Sequence, residues 1–177
     1  MDWNPALYGA EAATLLALAG EGRRLMPLVL PPGKPLPDGR GSVETALRRP
    51  AREIFPDAVQ PELALAGLWL YCGYFDESHT IAQDVPTADG SYWHAILHRM
   101  EPDAWNAGYW FRRVGQHPVF AELQAAAVAL GYTTGRQWDP LAFVDACTQA
   151  APAEQFLLQQ VQLAEWQILF HYCAKAE

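Results

Sequence analysis

An all-α fold is predicted for this 177-residue chain from three observations. Apolar residues recur at three- and four-residue spacing over most of its length. Asn, Asp or Pro stands where many of the periodic runs begin. No credible run of alternating residues appears, so a sheet has no support. A single-domain bundle over residues 1–177, of about seven to nine helices joined by short turns, is the expectation.

Asn4 and Pro5 read as cap and first position of a helix, with Leu7, Ala10, Thr14, Leu15 and Leu18 on one face until Gly20 and Gly22. Residues 27–41, PLVLPPGKPLPDGRG, are too rich in Pro and Gly for a helix. They predict a long extended connection, with Leu28, Val29 and Leu30 as its anchor. Ser42 is placed to cap a short helix from Val43 to Arg49, and Pro50 and Pro56 bracket a turn holding Ile54 and Phe55. Pro61 opens a firmer helix in which Leu65, Leu68, Trp69 and Cys72 share a face. Asp76 reads as the cap of the next, which Pro86 stops. Two central helices follow, broken at Glu101-Pro102-Asp103. Val119, Leu123, Ala126, Ala127 and Leu130 form a further stripe closed by Gly131. Asp139-Pro140 starts a helix reaching about Ala150. A last one begins near Pro152, with Leu157, Val161, Ala164, Ile168 and Tyr172 in line.

Composition narrows the function. With 51% hydrophobic residues and seven tryptophans, the chain predicts a dense core, a stacking site or both. Its net charge of −8 opposes nucleic-acid and anionic-membrane binding. Arg23, Arg24, Lys34, Arg40, Arg48, Arg49 and Arg52 nevertheless crowd the first third, which reads as self-docking or a solvated face. Cys72, Cys147 and Cys173 have no zinc or CxxC spacing and predict buried thiols in a reducing compartment. The N-terminus lacks a basic n-region, and the apolar run Ala12–Ala19 is too short to span a bilayer. A soluble cytoplasmic protein is expected.

Chemistry-bearing residues concentrate in 88–118. On a helix, His94, His98 and Glu101 fall within one sector of about 60°. Two imidazoles at i, i+4 with a carboxylate at i+7 suit a divalent metal, and His79 upstream adds a fourth candidate ligand. Trp93, Ile96, Leu97 and Met100 would form the buried stripe behind them. The same three residues, His94, His98 and Glu101, are the candidates for acid–base work. The competing reading is a hydrogen-bonded cluster, with Asp76 as a cap and His98 and Arg99 at a helix C-terminus, where positive charge is favoured.

On the second central helix, Ala104, Ala107, Gly108, Phe111 and Val114 form the packed face. Trp105, Tyr109 and Arg112, and Asn106, Trp110 and Arg113, flank it as aromatic–guanidinium stripes. Trp105, Asn106, Tyr109, Arg112, Arg113 and, in the turn, His117 are therefore candidate anion- or small-molecule-binding residues. The plainer alternative pairs both arginines with Asp103, Glu101 or Asp84. No nucleophile elbow, glycine-rich phosphate loop or dinucleotide fingerprint occurs.

Residues 106–132 resemble the helix-turn-helix repeats of the Sel1-like and tetratricopeptide families, through Ala107, Tyr109, Trp110, Phe111, Arg112, Arg113, Leu130, Gly131 and Tyr132. No second copy follows at a fixed period. The longer signature YWHAIxHRxExD…NAxYWFRRVGxHP is similar to that of a family of uncharacterised bacterial and fungal helical proteins. It implies a helical unit over about 61–132 and no mechanism. Two functions stay open. One is a binding protein with a polar site between the central helices, taking a small molecule, an anion or a metal. The other is a protein-interaction scaffold in which that cluster is structural.

Overall fold

The computed structural model describes residues 3–30, 40–133 and 135–176. Among them it is all-helical, with ten α-helices, a 3-10 turn at Pro5–Tyr8 and no strand beyond an isolated bridge between Ala58 and Ala176. The helices are α1 (Ala10–Leu18), α2 (Arg40–Leu47), α3 (Ala51–Ile54), α4 (Pro61–Tyr71), α5 (Phe75–Asp84), α6 (Ala88–Met100), α7 (Ala104–Val114), α8 (Phe120–Ala129), α9 (Pro140–Gln149) and α10 (Gln155–Ala174). The one-turn α3, read in sequence as a bracketed turn, brings the number to ten.

Capping matches residue chemistry in several places. Asn4 accepts from the Ala6 N–H, and Asp139 accepts from Leu141 and Ala142 ahead of α9. Asp103 caps α7 through the Asn106 N–H, and Thr87 caps α6 through that of Gly90. Two expected caps are corrected. α5 begins at Phe75, so Asp76 lies in its first turn, where a negative charge suits the helix dipole. α2 begins at Arg40, which places Ser42 inside it. Of the connection predicted over 27–41, residues 31–39 lie outside the described residues. Its start is anchored as expected: Leu28 is buried, and Leu30 donates to the Met100 carbonyl at 2.6 Å.

One core cluster runs from Trp3 to Ala174. α10 is its axis, packed by α4, α8 and α9. It buries Leu158, Val161, Glu165, Trp166, Leu169, Phe170 and Cys173, a face rotated from the expected one, on which Leu157, Ala164 and Tyr172 are only half-buried. Helices on several sides, rather than one, cause the difference. Trp166 donates to the Gly67 carbonyl at 2.8 Å and stacks on Tyr71 and Phe170 at centroid distances of 4.4 and 4.9 Å.

α4 approaches α6 and α10 closely because Gly67 has no side chain. A Cβ there would meet Trp93 Cζ2 at 2.7 Å and Phe170 Cδ2 at 3.2 Å. Both rings are fully buried, so neither can swing clear. Gly67→Ala is expected to cost about 1–3 kcal/mol by overpacking, despite the better helix propensity of Ala. A urea midpoint at or above the parent's would disprove this.

Arg99 lies in the last turn of α6, as expected, but its charge is met by another helix. It is fully buried and pairs with Glu165 of α10 at 2.5 Å, with Gln162 Oε1 at 3.4 Å and the Phe143 ring 4.7 Å away. Tyr92 donates to the other Glu165 oxygen at 3.1 Å. Burial alone would weaken the guanidinium as a base, but the Glu165 charge and hydrogen bond, with Cys147 and Tyr92, together outweigh it and hold the proton more firmly than usual.

Two basic residues in the turn between α2 and α3 are neutralised. Arg48 pairs with Glu44 and Glu77, and Arg49 with Glu11 and Glu53. Two of these pairs tie the turn after α2 to α5 and α1. Cys72, Cys147 and Cys173 are all buried and free, and burial raises each thiol's pKa. Among the described residues, no helix is long and apolar enough to cross a membrane.

Candidate metal centre

α5 and α6 build the site. α5 is held on α4 by Ser78, whose buried hydroxyl donates to the Ala66 carbonyl at 2.8 Å. The next residue, His79, then faces α6. On α6, Trp93, Ile96, Leu97 and Met100 fill the core as expected, which turns His94 and His98 toward α5.

His79, His94 and His98 converge, each offering one ring nitrogen, with these atoms within 4.8 Å of one another. The Nε2 atoms of His79 and His94 are 2.9 Å apart. His94 and His98 lie nearly parallel, 4.8 Å between centroids, and His79 stands edge-on to both. Trp110 of α7 stacks on His94 at 4.0 Å and Phe75 on His79 at 6.3 Å. His94 is 2% exposed, whereas His79 and His98 are half-buried, so solvent reaches the trio from one side.

His94 and His98 favour the neutral imidazole. Burial, then the neighbouring His79 and His98, lowers the His94 pKa to about 4. Burial also lowers that of His98, against the opposing pull of Glu101. Two facing Nε2 atoms at 2.9 Å must share a single hydrogen or direct both lone pairs at a cation. His94 Nδ1 is buried without a hydrogen-bond partner, so the ring is held by the Trp110 stack and the His79 contact.

These shifts set a pH response for the metal-free protein. A histidine whose folded pKa is depressed binds protons first in the unfolded chain, so stability rises with pH across the window. The His94 contribution is complete above its ordinary value of 6.5 and is lost as pH falls toward about 4. Urea midpoints of chelator-treated protein are expected to fall between about pH 7 and pH 4.5, with a shallower slope in His94→Leu. Equal slopes would refute the assignment.

The other predicted residues divide. Glu101 places Oε2 3.3 Å from His98 Nδ1, within ion-pair range but outside hydrogen-bond geometry, and is not among the convergent ligand atoms. Its predicted role as a ligand is corrected to that of a neighbour. Asp76 also lies outside the trio, and Glu77 is turned to Arg48. Asn106 is absorbed into the α7 cap, donating to Asp103 at 2.7 Å. Trp105 is 74% exposed and stacks on Tyr109. Arg113 lies over the rings of Trp110 and Tyr109, at 5.2 and 5.9 Å. Arg112 is exposed and follows α7 back toward Gly108. Among the described residues, neither arginine forms an ion pair, so the expected pairing with Asp103, Glu101 or Asp84 is not what holds them.

His117 belongs elsewhere. Its Nδ1 accepts from the Val119 N–H at 3.3 Å, so the ring hydrogen is on Nε2 and is donated to Asp89 at 2.6 Å. Gln60 also donates to Asp89. Burial pushes the Asp89 pKa up, but the opposing effects, led by the hydrogen bonds from His117 and Gln60, outweigh it and leave the carboxyl below its usual value. With both nitrogens engaged, His117 is a tie between α6 and the α7–α8 turn.

Trp110 is the site residue that the sequence underrated. It sits on a flanking stripe of α7, and only the packing of α7 on α6 lays it over His94. No protein-family model, curated protein or solved structure matches this chain, so its chemistry is read from this geometry alone.

Proposed function

We propose that the chain binds a divalent transition-metal ion through His79, His94 and His98. One observation carries this reading: three ring nitrogens converge within 4.8 Å in surroundings that keep His94 and His98 unprotonated. Neutral imidazoles suit zinc, copper, iron or nickel, and not magnesium or calcium, which take oxygen ligands. Zinc–nitrogen bonds of about 2.0–2.1 Å put tetrahedral ligands roughly 3.3 Å apart. The widest pair would therefore close by at most about 1.5 Å and the 2.9 Å His79–His94 pair open slightly, through rotations of half-buried His79 and His98. Glu101, 3.3 Å from His98 Nδ1, supports the reading as a nearby negative charge that would favour a bound cation.

Three protein ligands leave a fourth position for water or a ligand, the arrangement of catalytic rather than structural sites. His94 and His98 would then serve as ligands instead of bases, and Glu101 would be the carboxylate nearest the open side. The rival reading, a scaffold with a structural cluster, has the 2.9 Å His79–His94 contact in its favour, since it serves equally as a neutral hydrogen bond. Elemental analysis of untagged protein purified without chelator decides between them. About one equivalent of zinc or a neighbouring metal per chain is expected, together with a rise in Tm on reloading chelated protein. Metal-free protein whose Tm ignores added zinc would favour the scaffold.

A further inference from the structure

We infer that the cavity between α8 and segment 135–138 binds a small hydroxy acid with an apolar body, its carboxylate held by Arg136 and Trp138 and its hydroxyl by Gln124. The cavity holds about 330 Å³, at the lower end of the range for small-molecule sites, and none of the three histidines of the candidate metal centre lines it. Pro118, Phe120, Ala121 and the Trp138 ring form its apolar wall. His117 also lines it, but both ring nitrogens are engaged elsewhere, so it offers a ligand no hydrogen bond.

Two lining residues carry orphaned polar atoms. Trp138 is 5% exposed, and its buried Nε1–H has no partner. Phe143 and Tyr132 hold its ring, at centroid distances of 5.0 and 6.3 Å, which fixes where that donor stands. Gln124 donates its amide N–H to the Gly135 carbonyl at 3.1 Å. That bond fixes the amide's orientation and leaves the buried Oε1 as an acceptor without a donor. Native folds leave few buried polar groups unpaired, and here a donor and an acceptor belong to the lining of one cavity. Arg136 and Gln137 are exposed, so rotating these two side chains lets a ligand reach both atoms. Charge sets the ligand class. Arg136 forms no ion pair among the described residues, and no carboxylate lines the cavity with it. A planar monoanion balances the guanidinium and accepts from guanidinium and indole together. The donor to Gln124 must then be neutral, since nothing in the lining offsets an ammonium, which favours a hydroxy acid over an amino acid.

Mandelate and phenylacetate, which differ by one hydroxyl, test this in heteronuclear NMR titrations of the full chain. Chelator-treated protein is used, so neither acid can report through a metal. Each of the seven tryptophans gives an indole N–H signal, and the one missing from Trp138→Phe belongs to Trp138. Mandelate is expected to move that signal saturably, and phenylacetate to bind roughly tenfold more weakly for want of the bond to Gln124. Arg136→Gln should weaken both acids roughly tenfold, through loss of a charge-assisted contact. Gln124→Met should bind the two acids alike. Because Gln124 also tethers Gly135, the comparison of the two acids in the parent decides if that variant folds poorly. A Trp138 signal that ignores mandelate, equal affinities for the two acids in the parent, or an Arg136→Gln variant of parental affinity would each overturn the inference.

Discussion

Replacing His94 and His98 together by alanine will abolish stoichiometric metal binding, with affinity falling on the order of a hundredfold or more. Loss of an outer partner of a ligating histidine already costs about 10–100-fold, so loss of two ligands must exceed that. The double variant also removes the ring stacked on Trp110 and leaves a cavity beside α7, so a folding defect could imitate a binding defect. His79→Ala separates the two. That side chain is half-buried and comes from another helix, and its loss leaves the α6–α7 packing intact. The expected result is parental helicity by circular dichroism with metal content near zero in both variants. Parental metal content in His79→Ala would place any bound ion elsewhere.

Glu165→Ala should be the most damaging single change to the fold, at about 3–5 kcal/mol, because it strands the Arg99 charge in the core. It also takes the acceptor from Tyr92. For a chain of this size each kcal/mol moves Tm by roughly 2–4 °C, so a drop on the order of 10 °C is expected. The pair itself need not be strongly stabilising, since desolvating two charges offsets most of their attraction. Arg99→Met with Glu165→Leu is therefore expected to recover most of the loss. If Glu165→Ala alone melts within about 2 °C of the parent, the buried pair is unimportant to stability. The orphaned Nε and Nη1 of Arg99 are consistent with a network that is tolerated rather than optimised.

Much of the fold was legible in local chemistry. Asn4 and Asp139 mark helix starts because their short side chains satisfy free backbone N–H groups, a matter of a few neighbouring residues. The i, i+4 spacing of His94 and His98 likewise puts both rings on one side of α6 whatever surrounds it. That much belongs to the sequence. The partner of those rings does not: His79 is 15 residues away from His94, and its approach depends on α5 packing on α6. The same holds for Trp110 over His94 and for Glu165 beneath Arg99, where 66 residues intervene. A basic residue near a helix end reads as a match for the helix dipole, and only another helix can bring it a buried carboxylate. The candidate ligands were thus set by periodicity, while their convergence, the demotion of Glu101 and His117, and the fate of Arg99 were decided by how the helices pack. Side-chain direction is a local property of the backbone, whereas burial and partnership are properties of the whole assembly.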